Sequence, residues 1–283
     1  MEAIEGKKYG PYPLRVCAEK VADFVNATSD DPARWTGFAP PGWAAAALFA
    51  VAPILLTDPD LGDAGTSVIH GEQRFEWARP LPIETDLTVT GVVPKVRERG
   101  GVFFTTFEFE ANDLAGPVVK GTSIFLMSGS ASPASAGEAE NPPSPSARGA
   151  NDVLAGRPST NGGGSGALPP FPSLRRSAAR ADLVRYAGAT RDWNPIHWDH
   201  DSAVAAGLPT VVVHGLLQAA WLLSAASVLS EDPAPIVDAR FRFRSPMVAG
   251  SEAAVTGDVN GKDASARLAI NDREIVSATM TLR

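Results

Sequence analysis

The stretch Glu72-Gln-Arg-Phe-Glu-Trp-Ala-Arg-Pro-Leu-Pro-Ile-Glu-Thr-Asp-Leu-Thr-Val-Thr-Gly-Val-Val93 lies without a gap over Asp238-Ala-Arg-Phe-Arg-Phe-Arg-Ser-Pro-Met-Val-Ala-Gly-Ser-Glu-Ala-Ala-Val-Thr-Gly-Asp-Val259. Seven of these 22 positions are identical, among them Arg74/Arg240, Phe75/Phe241, Pro80/Pro246 and the Val-Thr-Gly triplets ending at Gly91 and Gly257. Upstream, Ala27-Thr-Ser-Asp-Asp-Pro-Ala-Arg-Trp35 echoes Ala189-Thr-Arg-Asp-Trp-Asn-Pro-Ile-His-Trp198 with one residue missing. Two echoes in the same order along one chain are most economically read as an internal duplication.

Each copy reads in the same order. A short amphipathic helix (Lys20 to Ala27; Ala181 to Ala189) leads through a polar, proline-containing segment into an Ala/Leu-rich helix (Trp43 to Leu56; Gly215 to Leu229). Strands with β-branched and aromatic alternation follow: Val68–Trp77, Leu87–Val96, Val102–Asn112 and Val118–Met127, then Ile236–Arg244, Ala253–Asn260, Ala264–Ile270 and Ile275–Leu282. An apolar helix followed by antiparallel strands is an α+β unit whose sheet must wrap the helix to bury it, and two tandem copies pair like a dimer within one chain. Between Ser128 and Pro170, Ser, Gly, Pro and Ala fill 31 of 43 positions, too little apolar surface to offset ordering entropy. The expected division is an amino-terminal domain over 1–127, a flexible linker over 128–170 and a second domain over 171–283.

Charge and composition narrow the partners. The 283 residues carry 25 Lys+Arg against 32 Asp+Glu, a formal net charge of −7, the wrong sign for a default partner made of nucleic acid or anionic lipid. The longest apolar run, Trp43 to Leu56, is too short to span a bilayer. Met1-Glu-Ala-Ile-Glu-Gly-Lys-Lys is polar, without the apolar stretch of a secretory signal, and a lone Cys17 excludes an intrachain disulfide. The expectation is a cytoplasmic protein.

Three of the four histidines crowd with acids in Asp192-Trp-Asn-Pro-Ile-His-Trp-Asp-His-Asp201 and Val213-His-Gly215. Pro195 fixes its own φ and pushes Asn194 out of the α region, so Asp192 and His197 sit on a stiff, non-helical path and can converge on one small site. Asn194 can hydrogen-bond nearby backbone to hold that path. His214 either orients the Gly215 turn or touches a ligand. His197 and His200 with Asp199, Asp201 and His214 carry zinc-type ligands, but His200 and its flanking acids fall where a solvated turn is expected, so no metal is implied. Arg240, Arg242 and Arg244 alternate with Phe241 and Phe243, giving one basic strand face; it is either a clamp for the phosphates of a carrier group or a solvated face paired with acids on a neighbouring strand.

Tyr186-Ala-Gly-Ala-Thr-Arg-Asp-Trp-Asn-Pro-Ile-His197, followed by Val213-His-Gly-Leu216, resembles the MaoC-like, or (R)-specific enoyl-CoA hydratase, signature, in which a tyrosine-led helix precedes Gly-Asp-x-Asn-Pro-aliphatic-His. The first half is similar to the degenerate amino-terminal domain of fused members with two hotdog folds, each an antiparallel sheet wrapped around a central helix. The resemblance implies a hydro-lyase: reversible hydration of a trans-2-enoyl thioester to an (R)-3-hydroxyacyl thioester on coenzyme A or acyl carrier protein, without metal or dissociable cofactor. It makes Asp192 and His197 the pair that activates water, with a backbone N–H near Gly215 as oxyanion donor. Thr190-Arg191 stands where the family usually has Ser-Gly.

In the first half Asp30 aligns with Asp192 but Arg34 with His197, and arginine cannot exchange a proton near neutrality, so one active site per chain is expected. Phe38, Trp43 and the small residues Ala44 to Ala47 could then line space for a bulky acyl group. The same fold also serves acyl-thioesterases and could serve a non-catalytic acyl-thioester-binding subunit. Monomer and homodimer both satisfy the pairing, the dimer being the family habit.

Overall fold

Along the strand read over 102–112, Phe107, Phe109 and Ala111 are buried and Glu108 between them is exposed, the two-residue alternation that turns one sheet face inward. The same logic builds ten strands in the computed structural model, which describes residues 2–129, 170–232 and 234–283. They are β1 (Lys8–Arg15), β2 (Ser67–Trp77), β3 (Asp86–Arg99), β4 (Val102–Asp113) and β5 (Gly116–Ser128), then β6 (Leu174–Arg176), β7 (Ile236–Phe243), β8 (Ala253–Asn260), β9 (Asp263–Ile270) and β10 (Arg273–Leu282). All pair antiparallel in one sheet of order β1-β3-β4-β5-β2-β7-β10-β9-β8-β6. The second five repeat the first five in reverse, so the molecule is two hotdog units joined edge to edge by β2 and β7.

That junction carries the duplication in its register. Arg74 faces Arg240, and Gln73 faces Phe241, so the identical arginines of the two copies lie opposite each other at a pseudo-twofold axis. The helices obey the same symmetry. In α1 (Ala18–Ala27) and α3 (Arg180–Thr190), Phe24 and Tyr186 occupy equivalent positions and their rings meet at 5.5 Å.

Two central helices fill the hollows, α2 (Ala44–Leu56) and α5 (Gly215–Ser227). Ala44 through Leu48 are all buried in α2, and every residue after Gly215 is buried in α5. Full burial of each large side chain such as Phe107 or Trp221 contributes roughly 1.5–3 kcal/mol. The repeated Val-Thr-Gly glycines have a packing reason. A Cβ on Gly91 would lie 2.5 Å from the Phe107 ring, and one on Gly257 would lie 2.9 Å from the Phe171 ring and 2.3 Å from the Ser265 carbonyl. In both copies an aromatic ring lies on bare backbone.

Three elements were not anticipated. β1 contains Pro11 and Pro13, which argue against a strand; they are accommodated because β1 is an edge strand bonded only to β3 and its register shifts between Tyr9 and Tyr12. β6, of three residues, is the opposite edge. The solvated turn expected around His200 is instead a short helix, α4 (His200–Ala205), because Asp199 Oδ1 accepts from Ser202 N at 2.7 Å and caps it. Positions 130–169 of the expected linker lie outside the described residues. No helix among the described residues is long and apolar enough to cross a membrane.

Candidate active site

The site grows out of the end of α3. Thr190 Oγ1 donates to the Tyr186 carbonyl at 2.8 Å, and Arg191 N donates to the Ala187 carbonyl at 2.7 Å with Arg191 in the left-handed region, φ 69°. A side chain there costs on the order of 1 kcal/mol relative to glycine, which accounts for the glycine usual at this place in the resembling signature. The reversal turns Asp192 inward while Arg191 stays exposed. Asn194 Oδ1 then accepts from Ile196 N at 3.4 Å, and Pro195–His197 forms one tight turn.

His197 is held by its Nδ1, 2.8 Å from the Val212 carbonyl. A carbonyl only accepts, so Nδ1 donates and Nε2 keeps its lone pair. His214 caps α5 at its amino end and stacks on His197 with ring centroids 3.8 Å apart and planes 28° from parallel. Its Nε2 is 3.3 Å from the main-chain carbonyl of Asp192. Asp192, His197 and His214 each bring one carboxylate oxygen or ring nitrogen within 4.8 Å of the others. Asp192 and His197 are 7% exposed and His214 is wholly buried.

Burial sets the electrostatics. It raises the Asp192 carboxyl to about 7 and lowers the His197 imidazole to about 4, because each charged form loses its water. His214 is likewise pushed well below its usual value by burial, with His197 adding to the effect. Near neutrality the pair therefore holds a neutral imidazole beside a carboxyl poised between its two forms. The three groups are also a conceivable ligand set for a metal ion. The near-parallel stack works against it: the in-plane lone pairs of the two imidazoles run side by side, whereas a tetrahedral ion needs them to converge.

The remaining residues singled out from sequence lie apart from this cluster. Arg240 is exposed opposite Arg74 and Arg242 pairs with Glu72 at 3.2 Å, both on the face of β7 opposite buried Ala239 and Phe241, while Arg244, just past the end of β7, pairs with Glu274 at 2.6 Å. Trp43 is buried in the core at the amino end of α2. Gly215 opens α5, and a Cβ there would lie 3.3 Å from the Phe243 ring. Asp199 is spent on capping α4, and exposed His200 reaches Thr210 Oγ1 at 3.3 Å. Sequence reasoning gave no role to Gln218, whose Nε2 donates to the Val213 carbonyl at 3.0 Å, or to Tyr186. A glutamine inside a largely apolar helix was the available signal.

In the first half the equivalent residues do structural service. Ser29 repeats the left-handed turn at φ 51°, and Thr28 Oγ1 donates to the Phe24 carbonyl at 2.9 Å, as Thr190 does to Tyr186. Asp30 accepts from Ser224 Oγ at 2.8 Å and from Trp35 Nε1 at 3.1 Å, and Arg34 donates to the carbonyls of Ser227 and Ser230. A cation on the terminal carbonyls of α5 is favoured by the helix dipole. Trp43, the amino-terminal cap of α2, stands where His214 caps α5.

This fold and site define a double-hotdog protein with one buried Asp/His cluster. The MaoC like domain matches residues 169–278. The chain is 31% identical to a UPF0336 protein of Streptomyces avermitilis over 128 residues, 41% of this chain and 85% of that protein. It is 36% identical over 72 residues to the mitochondrial 3-hydroxyacyl-[acyl-carrier-protein] dehydratase of Arabidopsis thaliana, 25% of this chain and 42% of that protein. A solved MaoC-like dehydratase superimposes over 100% of this chain and 99% of its own with a TM-score of 0.79 at 23% identity. Residues 169–278 form a MaoC-like domain, and the chain belongs with the UPF0336 proteins.

Proposed function

We propose that the protein catalyses reversible hydration of a trans-2-enoyl thioester, carried on coenzyme A or acyl carrier protein, to an (R)-3-hydroxyacyl thioester, with Asp192 and His197 as its catalytic pair and residues 171–283 as the catalytic domain. The observation that carries this reading is a buried carboxyl and imidazole whose polar atoms lie within 4.8 Å. Two hydrogen bonds of about 2.8 Å meeting at a tetrahedral oxygen span about 4.6 Å, so one water molecule bridges such a pair and is presented to Cβ from a fixed direction. Conjugate addition needs a base for the water proton, an acid for Cα and a donor for the enolate oxygen. Asp192 and His197 together hold one mobile proton between about pH 4 and about pH 7, so one member accepts from water while the other donates to Cα, and the reverse path uses the same state. The first N–H groups of α5, beginning at Gly215, have no intrahelical acceptor and sit at the positive end of the helix dipole, where the thioester oxygen gathers charge.

The test is turnover of trans-2-enoyl-CoA esters from four to sixteen carbons, with chiral analysis of the product. Asp192→Asn and His197→Ala are each expected to lower kcat/KM about 10²–10⁴-fold with the fold intact. Wild-type turnover in either variant overturns the assignment, and thiol release from a saturated acyl-CoA would assign hydrolysis instead.

A further inference from the structure

Behind the proposed pair lie two polar atoms that the reaction does not use. His214 Nε2 lies 3.3 Å from the Asp192 main-chain carbonyl, so Nε2 carries the ring proton and Nδ1 is a bare acceptor. That Nδ1 is wholly buried and has no hydrogen-bond partner. The hydroxyl of Tyr186, also wholly buried, has none either. Their rings are in contact, with centroids 4.8 Å apart and planes tilted by 46°. A buried donor or acceptor left unmade costs roughly 1–3 kcal/mol, and native interiors rarely leave such atoms unpaired. Here one is an unspent donor and the other an unspent acceptor.

We infer that Tyr186 is a positioning residue for the proposed reaction, its hydroxyl donating to His214 Nδ1 through one enclosed water molecule. The consequence runs through three contacts. A donor on Nδ1 fixes His214 as the Nε2–H tautomer. That N–H holds the Asp192 carbonyl, and with it the backbone from which the Asp192 carboxyl projects. The His214 ring, so held, is the flat support stacked at 3.8 Å under His197. Without the donor, His214 can turn over to the other tautomer, which presents a lone pair to the Asp192 carbonyl and repels it. Phe24, the first-half counterpart of Tyr186, is a phenylalanine, and the residue at the His214 position there is Trp43, so the half without the Asp/His pair also lacks both members of the relay.

This inference rests on the reading of Asp192 and His197 as catalytic, and the test separates the two. In the wild-type protein labelled with 15N-histidine, the Nδ1 resonance of His214 is expected at the position of a hydrogen-bonded acceptor and is expected to move downfield to that of a bare one in Tyr186→Phe. In the same variant kcat is expected to fall roughly tenfold, the equivalent of one lost hydrogen bond, with KM for the enoyl-CoA changed less than twofold, because Tyr186 is wholly buried. A wild-type resonance at the bare position overturns the inference even if the variant fails to fold, and so does kcat within twofold of wild type in a folded variant. If Asp192→Asn keeps full turnover, it is the assignment of the pair that falls, whatever the His214 resonance shows.

Discussion

Replacing Asp192 by asparagine should lower turnover about 10²–10⁴-fold and, above neutral pH, stabilise the fold. Asp192 is 7% exposed, and among the described residues its carboxylate accepts one hydrogen bond, a long one of 3.5 Å from Asn194 N, and no cation forms an ion pair with it. Burial therefore raises its carboxyl from 3.8 to about 7. Between those values the folded protein keeps a proton that the unfolded chain releases. The stability this group contributes is thus fully present below about pH 4, falls as pH rises, and has been lost once pH passes about 7. A displacement of about three units corresponds to on the order of 4 kcal/mol of cost in the ionised folded state. An amide of the same shape carries no such cost. His197 and His214 stay in both proteins and cancel in the comparison.

The assay is the melting temperature of the two proteins side by side at pH 5.5 and pH 8.5. At pH 5.5 roughly half of the cost is present, so the advantage of Asp192→Asn should grow by about 2 kcal/mol between the two values, which for a protein of this size is about 4–8 °C. Any constant effect of the amide on packing drops out of that growth. A difference in melting temperature that does not change with pH would mean that Asp192 is ionised at ordinary cost, and the one-proton account of the site would go with it.

The same ionisations set the activity profile: kcat/KM is expected to be flat between about pH 4 and about pH 7 and to fall on both sides, and a rate still climbing at pH 9 would refute it. Arg34→Ala removes the cation from the carboxyl end of α5 and should cost about 1.5–3 kcal/mol, read as a lower melting temperature, while kcat per folded molecule stays within a few-fold because Gly215 and His214 are at the other end of that helix. Replacing Arg242 and Arg244 together by alanine should leave KM for the CoA ester within a few-fold, since both are already paired with Glu72 and Glu274; a rise of tenfold or more would restore the phosphate clamp.

Most of the architecture was legible because duplication doubled every signal. A weak pattern such as Ala253–Asn260 gains authority when it lies over the stronger Leu87–Val96, and Gly91 and Gly257 each lie bare under an aromatic ring, Phe107 and Phe171 respectively. What escaped were elements defined by their neighbours. The prolines of β1 are tolerable only because an edge strand leaves half of its backbone unbonded, and α4 exists because one aspartate side chain turns back on Ser202. The candidate pair was visible in Asp192-x-Asn-Pro-Ile-His197, since a proline-bound bend is a local device. The stack of His214 on His197 and the approach of Tyr186 were not, because they join residues brought together only by the packing of α3 on the start of α5.

The two halves make the physical difference between a scaffold and a site unusually plain. Both ends of α5 meet a bend that follows a short helix and carries an aspartate, both bends begin with a left-handed residue after a threonine bonded back to its own helix, and each aspartate is buried or half-buried. At the carboxyl end, Asp30 is satisfied by Ser224 and Trp35, and Arg34 by two helix carbonyls, so every group has a partner and the arrangement fastens one half to the other. At the amino end, the Asp192 carboxylate accepts one long hydrogen bond among the described residues, Nε2 of His197 keeps its lone pair, and the nearest helix groups are unspent N–H donors. The same backbone thus holds a completed network where the helix offers acceptors and an uncompleted one where it offers donors. Only the second retains free bonding capacity of the kind a water molecule and a developing oxyanion require.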